Sequence, residues 1–235
     1  MKRLILILLL MSGLPLMAND IYIDQIGDSL DLDITQDGQD NQIGNSTTDA
    51  TLNGDNMTFS ITQTGSTNTI EAIIKGDTYT GTWTFTGSSN TVDLDCSSAA
   101  AGNCDTVTLN ITNTGDSNDY TLAIGETSDA TSSTVAFTVT GDNSIINTTV
   151  NGVSAALTVD INNSTSLATT SANSDEGVAL TTSQSGDGDS AGHTVTLDVD
   201  GGGGTIDITQ SGIYDNTVDL TVNGDSFDVD ITQSD

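Results

Sequence analysis

Asp55-Asn56-Met57-Thr58-Phe59-Ser60-Ile61-Thr62-Gln63-Thr64-Gly65, followed without a gap by Ser66 to Gly76, is the stretch that decides the fold. Met57, Phe59, Ile61 and Gln63 fall at every second position, and so do Asn68, Ile70, Ala72 and Ile74. A strict period of two marks a strand that turns one face inward. Gly65 and Gly76 permit the tight reversals that end each arm. The stretch therefore predicts a strand, a turn, a strand and a turn in about 22 residues.

The same 11-residue unit recurs at Asp28 to Gly38, Asp77 to Gly87, Asp142 to Gly152 and Asp225 to Asp235. Two kinds alternate. One ends its apolar series in glutamine, as in Leu30, Leu32, Ile34 and Gln36, or Phe227, Val229, Ile231 and Gln233. The other opens on asparagine: Asn90, Val92, Leu94 and Cys96; Asn118, Tyr120, Leu122 and Ile124; Asn216, Val218, Leu220 and Val222. One such pair of arms cannot bury its inner face alone, so successive pairs stack. The predicted fold class is all-β, a β-solenoid of about 22 residues per turn with two facing sheets. Counting arms gives about eight turns, a rod of about 35–40 Å at ~4.8 Å per turn. Alternation weakens near 44–54, 97–105, 125–133 and 162–177. These segments are expected as loops protruding from a single stack spanning 19–235.

Inward amides need partners, since a buried amide without them costs about 1–3 kcal/mol. Identical amides on successive layers supply each other. Gln36, Gln63, Gln210 and Gln233 are expected to form one ladder, and Asn41, Asn68, Asn90, Asn118 and Asn216 a second at the opposite corner.

Composition narrows the function. The 235 residues carry 33 Asp and Glu against 3 Lys and Arg, a formal net charge of −30. Beyond Lys2 and Arg3, Lys75 is the sole basic side chain of these types. Nothing in such a chain can neutralise nucleic-acid phosphates, so that partner is excluded. Met1 to Arg3 form a basic start, Leu4 to Leu16 an apolar run, and Ala18 suits signal-peptidase cleavage. Residues 1–18 are thus expected to be a signal peptide, giving a secreted or cell-surface mature chain with no transmembrane segment. In that oxidising space Cys96 and Cys104, bracketing a short Ala/Ser/Gly loop, are expected to form a disulfide. A two-Cys metal site lacks a second pair and a nearby histidine.

Signs of catalysis are few. His193 stands at a corner position ahead of Val195, Leu197 and Val199. Paired aspartates such as Asp31/Asp33 and Asp228/Asp230 alternate outward and look equivalent, unlike the two differing carboxylates of a glycosidase. Gly201 to Gly204 lacks the lysine and helix of a phosphate loop. Asp187 and Asp189 offer oxygen ligands for weakly held Ca²⁺, the one cofactor that the sequence leaves in view. The chain reads as a non-enzyme.

Ile61-Thr62-Gln63-Thr64-Gly65-Ser66-Thr67-Asn68-Thr69-Ile70 resembles the curlin repeat of bacterial curli fibre subunits. Ile34, Gln36, Gly38 and Asn41 match its centre again, while Met57 replaces the family's leading serine and Ile74 its second glutamine. The resemblance implies a secreted β-solenoid subunit of a functional amyloid in the biofilm matrix. It also implies self-association, a nucleator or other curli-like subunits as partners, and an outer-membrane secretion apparatus. The competing expectation is a monomeric secreted solenoid binder, an ice-binding protein or a surface adhesin. Its motive is Thr78, Thr80, Thr82, Thr84 and Thr86, an alternating array that the sequence shows strongly in one arm only.

Overall fold

The computed structural model describes residues 19–45, 47, 49–96, 106–124, 132–141, 145–151, 154–162, 167–174, 177–185, 193–201, 204–211, 216–224 and 226–234. The expected signal peptide and most of the expected loops at 97–105 and 125–133 lie outside these residues. Among them, no helix is long and apolar enough to cross a membrane.

The described residues form only strands and their turns. The first ten are β1 (Asp20–Ile21), β2 (Asp24–Ile26), β3 (Asp31–Asp37), β4 (Asn41–Ile43), β5 (Ala50–Asn53), β6 (Met57–Thr64), β7 (Thr67–Lys75), β8 (Tyr79–Thr86), β9 (Ser89–Cys96) and β10 (Thr106–Thr114). The rest are β11 (Asp119–Ile124), β12 (Ser132–Thr140), β13 (Ile145–Asn151), β14 (Ser154–Asn162), β15 (Leu167–Ser174), β16 (Gly177–Ser185), β17 (His193–Gly201), β18 (Gly204–Ser211), β19 (Asn216–Gly224) and β20 (Phe227–Ser234).

Successive arms fall alternately into two parallel sheets, which makes the molecule a β-solenoid. One sheet has nine strands in the order β20-β18-β16-β14-β12-β10-β8-β6-β3. The other has eleven, running from β1 through β4, β7, β9, β11, β13, β15 and β17 to β19, with β2 and β5 beside that path. Nine stacked strands span about 38 Å at ~4.8 Å per step, one layer more than the eight turns counted from sequence.

Period two governs burial as expected for a strand with one inward face. β6 buries Met57, Phe59, Ile61 and Gln63, while Thr58, Ser60, Thr62 and Thr64 stay open to solvent to differing degrees. Inward residues of both sheets merge into one core. Its largest fully buried side chains lie on β6, β8 and β12, among the first five of the nine strands, and on β11 beside them. Phe59 and Trp83 meet edge to face at 6.1 Å, and Tyr120 meets Phe137 at 5.7 Å. Trp83 is fully buried and its indole N–H donates to the Phe59 carbonyl at 3.1 Å, so the ring brings no unpaired donor inside. Gly81 stands inward between Tyr79 and Trp83. A Cβ there would lie 2.7 Å from both the Tyr79 hydroxyl and Leu109 Cδ1, so the missing side chain makes room for the aromatic neighbours.

Two expected loops are corrected. Within 44–54 the chain leaves its layer at Gly44 and returns as β5, whose Ala50 and Leu52 are fully buried. β4 and β5 together cover the single long strand β7, pairing Asn41 with Asn68 and Ala50 with Ala72. Within 162–177, Leu167–Ser174 is strand β15, held between β13 and β17. Its sequence lacks apolar alternation. Backbone partners on both sides make the strand, with a register shift between Leu167 and Thr170 marking the irregularity.

The turns stack as tightly as the arms. The Gly65 N–H donates to the Thr86 carbonyl at 2.9 Å, and the Gly38 N–H to the Thr64 carbonyl at 2.9 Å. A Cβ on Gly65 would fall on the Gly38 carbonyl oxygen of the adjacent layer, whereas one on Gly38 meets first the movable Asn19 side chain. Gly65→Ala is therefore expected to cost about 1–3 kcal/mol, the range of an overpacked site, and Gly38→Ala clearly less. Denaturant midpoints of the two variants check this; equal losses would contradict the close approach at Gly65.

Candidate functional site

The candidate site is the set of buried amide columns, considered together with β3 and β20, the strands at which the nine-stranded sheet ends. Asn41 and Asn68 open successive arms in direct register, and Asn68 is in register with Asn90. Asn41 Nδ2 donates to Asn68 Oδ1 at 2.9 Å, Asn68 Nδ2 to Asn90 Oδ1 at 2.6 Å, and Asn90 Nδ2 to Asn118 Oδ1 at 2.7 Å. Every step runs in the same direction. The same amide nitrogens also reach turn carbonyls: Asn41 to Thr64 at 3.0 Å, Asn68 to Thr86 at 3.3 Å and Asn90 to Gly87 at 3.1 Å. One column thus ties the layers together and pins each corner, and all four side chains are buried.

The column starts one residue earlier than expected. Asn19 Nδ2 donates to Asn41 Oδ1 at 3.1 Å. A single asparagine at the margin of the first, incomplete layer carries no repeat signal. Asn113 Oδ1, also unanticipated, lies 2.6 Å from Asn90 Nδ2 and shares that nitrogen's two N–H groups with the other acceptors. Its signal was present, since Ile111-Thr112-Asn113-Thr114-Gly115 repeats Ile61 to Gly65 with Asn in place of Gln. At the far end of the chain, Asn216 pairs in backbone register with His193, and its side chain lies outside what is described.

The glutamine column corrects the single expected ladder. Gln63 Nε2 donates to Gln36 Oε1 at 2.7 Å, and Gln233 Nε2 to Gln210 Oε1 at 2.8 Å. Between these pairs, register places Phe85, Asn113, Val139 and Ile161 in the same column. Gln63 next faces Phe85, which has no donor, and its buried Oε1 is without a hydrogen-bond partner. Gln184 follows Ile161 and is in register with Gln210, so the second run restarts there. Gln36, Gln63 and Gln210 are buried, while Gln233 on the last strand is exposed.

A third ladder lies on the outside of the turns. Asp28 Oδ1 accepts the Asp55 N–H at 3.0 Å, and Asp55 Oδ1 accepts the Asp77 N–H at 2.9 Å. The signal was the recurring Gly-Asp pair at 27–28, 54–55 and 76–77. The residue after each pair, Ser29, Asn56 or Thr78, has positive φ. Thr78 therefore belongs to a turn, which removes it from the alternating threonine array.

Carboxylates crowd the outward face of the eleven-stranded sheet. Removal from water raises the Glu71 carboxyl above the ordinary range, and the charges of Asp49 and Asp93 raise it further. Asp93 is raised likewise by desolvation and then by Asp49, Asp95 and Asp119. Burial also pushes the Tyr79 and Tyr120 phenols up, so both stay protonated. Among the described residues, no group of three or more His, Cys, Asp or Glu is arranged to hold a metal. Asp187 and Asp189, the calcium candidates, lie outside them. Cys96 is buried and disulfide-bonded, while Cys104 lies outside the described residues.

Compared with protein-family models, with curated proteins and with solved structures, the chain finds no match.

Gln63→Ala is expected to cost about 1–3 kcal/mol, because it strips Gln36 Oε1 of its donor inside the core. Thr64→Ala, on an exposed side chain of the same strand, is expected to stay within about 0.5 kcal/mol. Urea midpoints distinguish them. A separate expectation concerns pH. A carboxyl whose pKa is raised on folding holds its proton more tightly in the folded chain. Stability then falls as pH rises from the ordinary value of about 4 through the raised one, and stays lower above it. The denaturant midpoint is therefore expected to increase on going from pH 7 to about 5, and the Glu71→Gln, Asp93→Asn double variant to flatten that gain. An unchanged slope in the variant would show that these two groups do not cause it.

Proposed function

We propose that this chain is a structural subunit of an extracellular curli-like amyloid fibre or biofilm matrix, assembling by end-to-end stacking of its solenoid. The observation that carries this reading is the outer edge of β20, which pairs with no other strand among the described residues. Val229 and Ile231 on β20 are 39% and 46% exposed, although their equivalents one strand back, Ile206 and Ile208, are buried. β20 itself is an eight-residue edge with a full row of backbone groups facing away from β18.

The two ends match each other in sequence. Asp31-Leu32-Asp33-Ile34-Thr35-Gln36 on β3 and Asp228-Val229-Asp230-Ile231-Thr232-Gln233 on β20 differ only at Leu32 and Val229. Laying β3 of a second copy on β20 would continue the internal register, cover Val229 and Ile231, and set Gln36 on Gln233. It would also stack Asp31 on Asp228 and Asp33 on Asp230. At ~4.8 Å each such pair repels by about 0.9 kcal/mol in the dielectric of water. Charged edges of this kind are a common restraint on strand pairing, and here they keep the exported chain from joining too early. Export, read from the signal-peptide pattern of residues 1–18, and the use of a nucleator or secretion apparatus, read from the curlin-like motif, belong to the same proposal.

Electron microscopy and light scattering of the purified mature chain test the reading. Fibres with a cross-β repeat are expected to form slowly at neutral pH in low salt. Growth should be faster with Ca²⁺ or as pH falls toward about 4, where carboxylates ordinarily protonate. Val229→Lys with Ile231→Lys should leave the monomer folded and stop growth. A wild-type chain that stays monomeric under all these conditions would overturn the proposal.

A further inference from the structure

The outward side of the nine-stranded sheet carries a pattern that end-to-end assembly does not use. On β8 it consists of Thr80, Thr82, Thr84 and Thr86, alternating with buried Tyr79, Gly81, Trp83 and Phe85. The sequence shows this array in one arm, but register extends it across four. Thr80 is flanked by Thr58 on β6 and Thr108 on β10, with Thr134 on β12 beyond. Thr84 has Thr62 and Thr112 as neighbours, then Thr138. Thr86 likewise sits between Thr64 and Thr114, followed by Thr140. The remaining column reads Ser60, Thr82, Asn110 and Ala136. Thirteen of these sixteen outward positions are therefore threonine, and none of the sixteen is buried.

Geometry makes the patch a lattice. Its hydroxyl-bearing residues repeat every ~4.8 Å across the strands and every ~6.7 Å along them, over about 14 by 20 Å. Pairing from β6 to β12 proceeds without a register shift. Threonine is stiff at χ1, so little rotamer freedom is lost when its hydroxyl is held in place.

Charge supplies a second, independent observation. The chain has a formal net charge of −30, yet none of the sixteen positions is charged. Charge returns on both sides, with exposed Asp31, Asp33 and Asp37 on β3 and exposed Asp160 on β14. It returns also on the opposite sheet at Glu71, Asp93, Asp95 and Asp119. Acid side chains thus flank the threonine patch on both sides, and none lies within it.

A single dissolved molecule gains little from such a face, because one hydroxyl bonds to water as well as to a solute. Only a partner that repeats on a comparable lattice engages many hydroxyls at once. The lack of charge disfavours an ionic mineral. The lack of any aromatic residue at the sixteen positions removes the flat platform on which sugar rings stack. The surface of ice meets all three conditions: it is neutral, it is periodic, and its water molecules both donate to and accept from each hydroxyl.

We propose that the outward threonine lattice of β6, β8, β10 and β12 binds the surface of ice crystals. This goes beyond the fibre reading and does not depend on it. In the test, labelled mature chain is placed before a slowly growing ice front, and its enrichment in ice is measured together with inhibition of recrystallisation. Wild type is expected to concentrate in the ice. Thr112→Lys, at the centre of the lattice, should abolish enrichment, and Thr121→Lys, outward on β11, should keep it. The Val229→Lys, Ile231→Lys variant should also keep it, which separates this proposal from fibre growth. Exclusion of the wild-type chain from ice, equal behaviour of Thr112→Lys and Thr121→Lys, or adsorption to crystalline cellulose or chitin in place of ice would overturn it.

Discussion

An amide buried in this fold can find partners only in the layers directly above and below, or in its own corner. That constraint sets the rest of the structure. The asparagine column from Asn19 to Asn118 meets it with one N–H for the next asparagine and another for a turn carbonyl. Any sideways slip between layers breaks both at once. The column therefore locks register between arms of very different sequence, and alternation then delivers the correct face of each arm to the core.

Where glutamine gives way, aromatic packing takes over. The position above Gln63 is Phe85, tilted against Tyr120, which in turn meets Phe137 edge to face, while Trp83 meets Phe59 in the same manner. The middle of the stack is thus held by apolar volume, with Gly81 relieving the crowding. Toward the C-terminal end glutamine returns in register at Gln184, Gln210 and Gln233. The exchange has a cost at the junction, where Gln63 Oε1 lacks a donor. The ends are the reverse of the middle, since polar ladder atoms and exposed Val229 and Ile231 are offered outward with no cap over β20 among the described residues.

Charge is distributed around this frame unevenly. Acids occupy the turn ladder of Asp28, Asp55 and Asp77, the outward face near Glu71 and Asp93, and the terminal strands. They leave uncharged the part of the nine-stranded sheet's outward face that spans β6, β8, β10 and β12. A solenoid gives each surface its own chemistry, because inward, outward and corner positions in the repeat are independent of one another. The same stack can therefore present open strand edges and an uncharged hydroxyl patch without conflict.

The sequence by itself determined the strand character, the inward face and the layered architecture. These follow from period two and from a unit that cannot bury its own face, both local properties of segments such as Met57 to Ile74. It also pointed to the asparagine corner, since Asn41, Asn68, Asn90 and Asn118 keep a constant offset from the turn. Tertiary structure alone decided what depends on neighbours distant in the chain. Leu167–Ser174 became a strand because β13 and β17 offer backbone partners on both sides, with no apolar alternation of its own to announce it. The glutamines became two separate runs because register interposes Phe85, Asn113, Val139 and Ile161. Thr80 became part of a lattice because Thr58, Thr108 and Thr134 were stacked beside it. Periodicity along one arm is written in that arm, whereas adjacency across arms is fixed only when backbone hydrogen bonds choose a register.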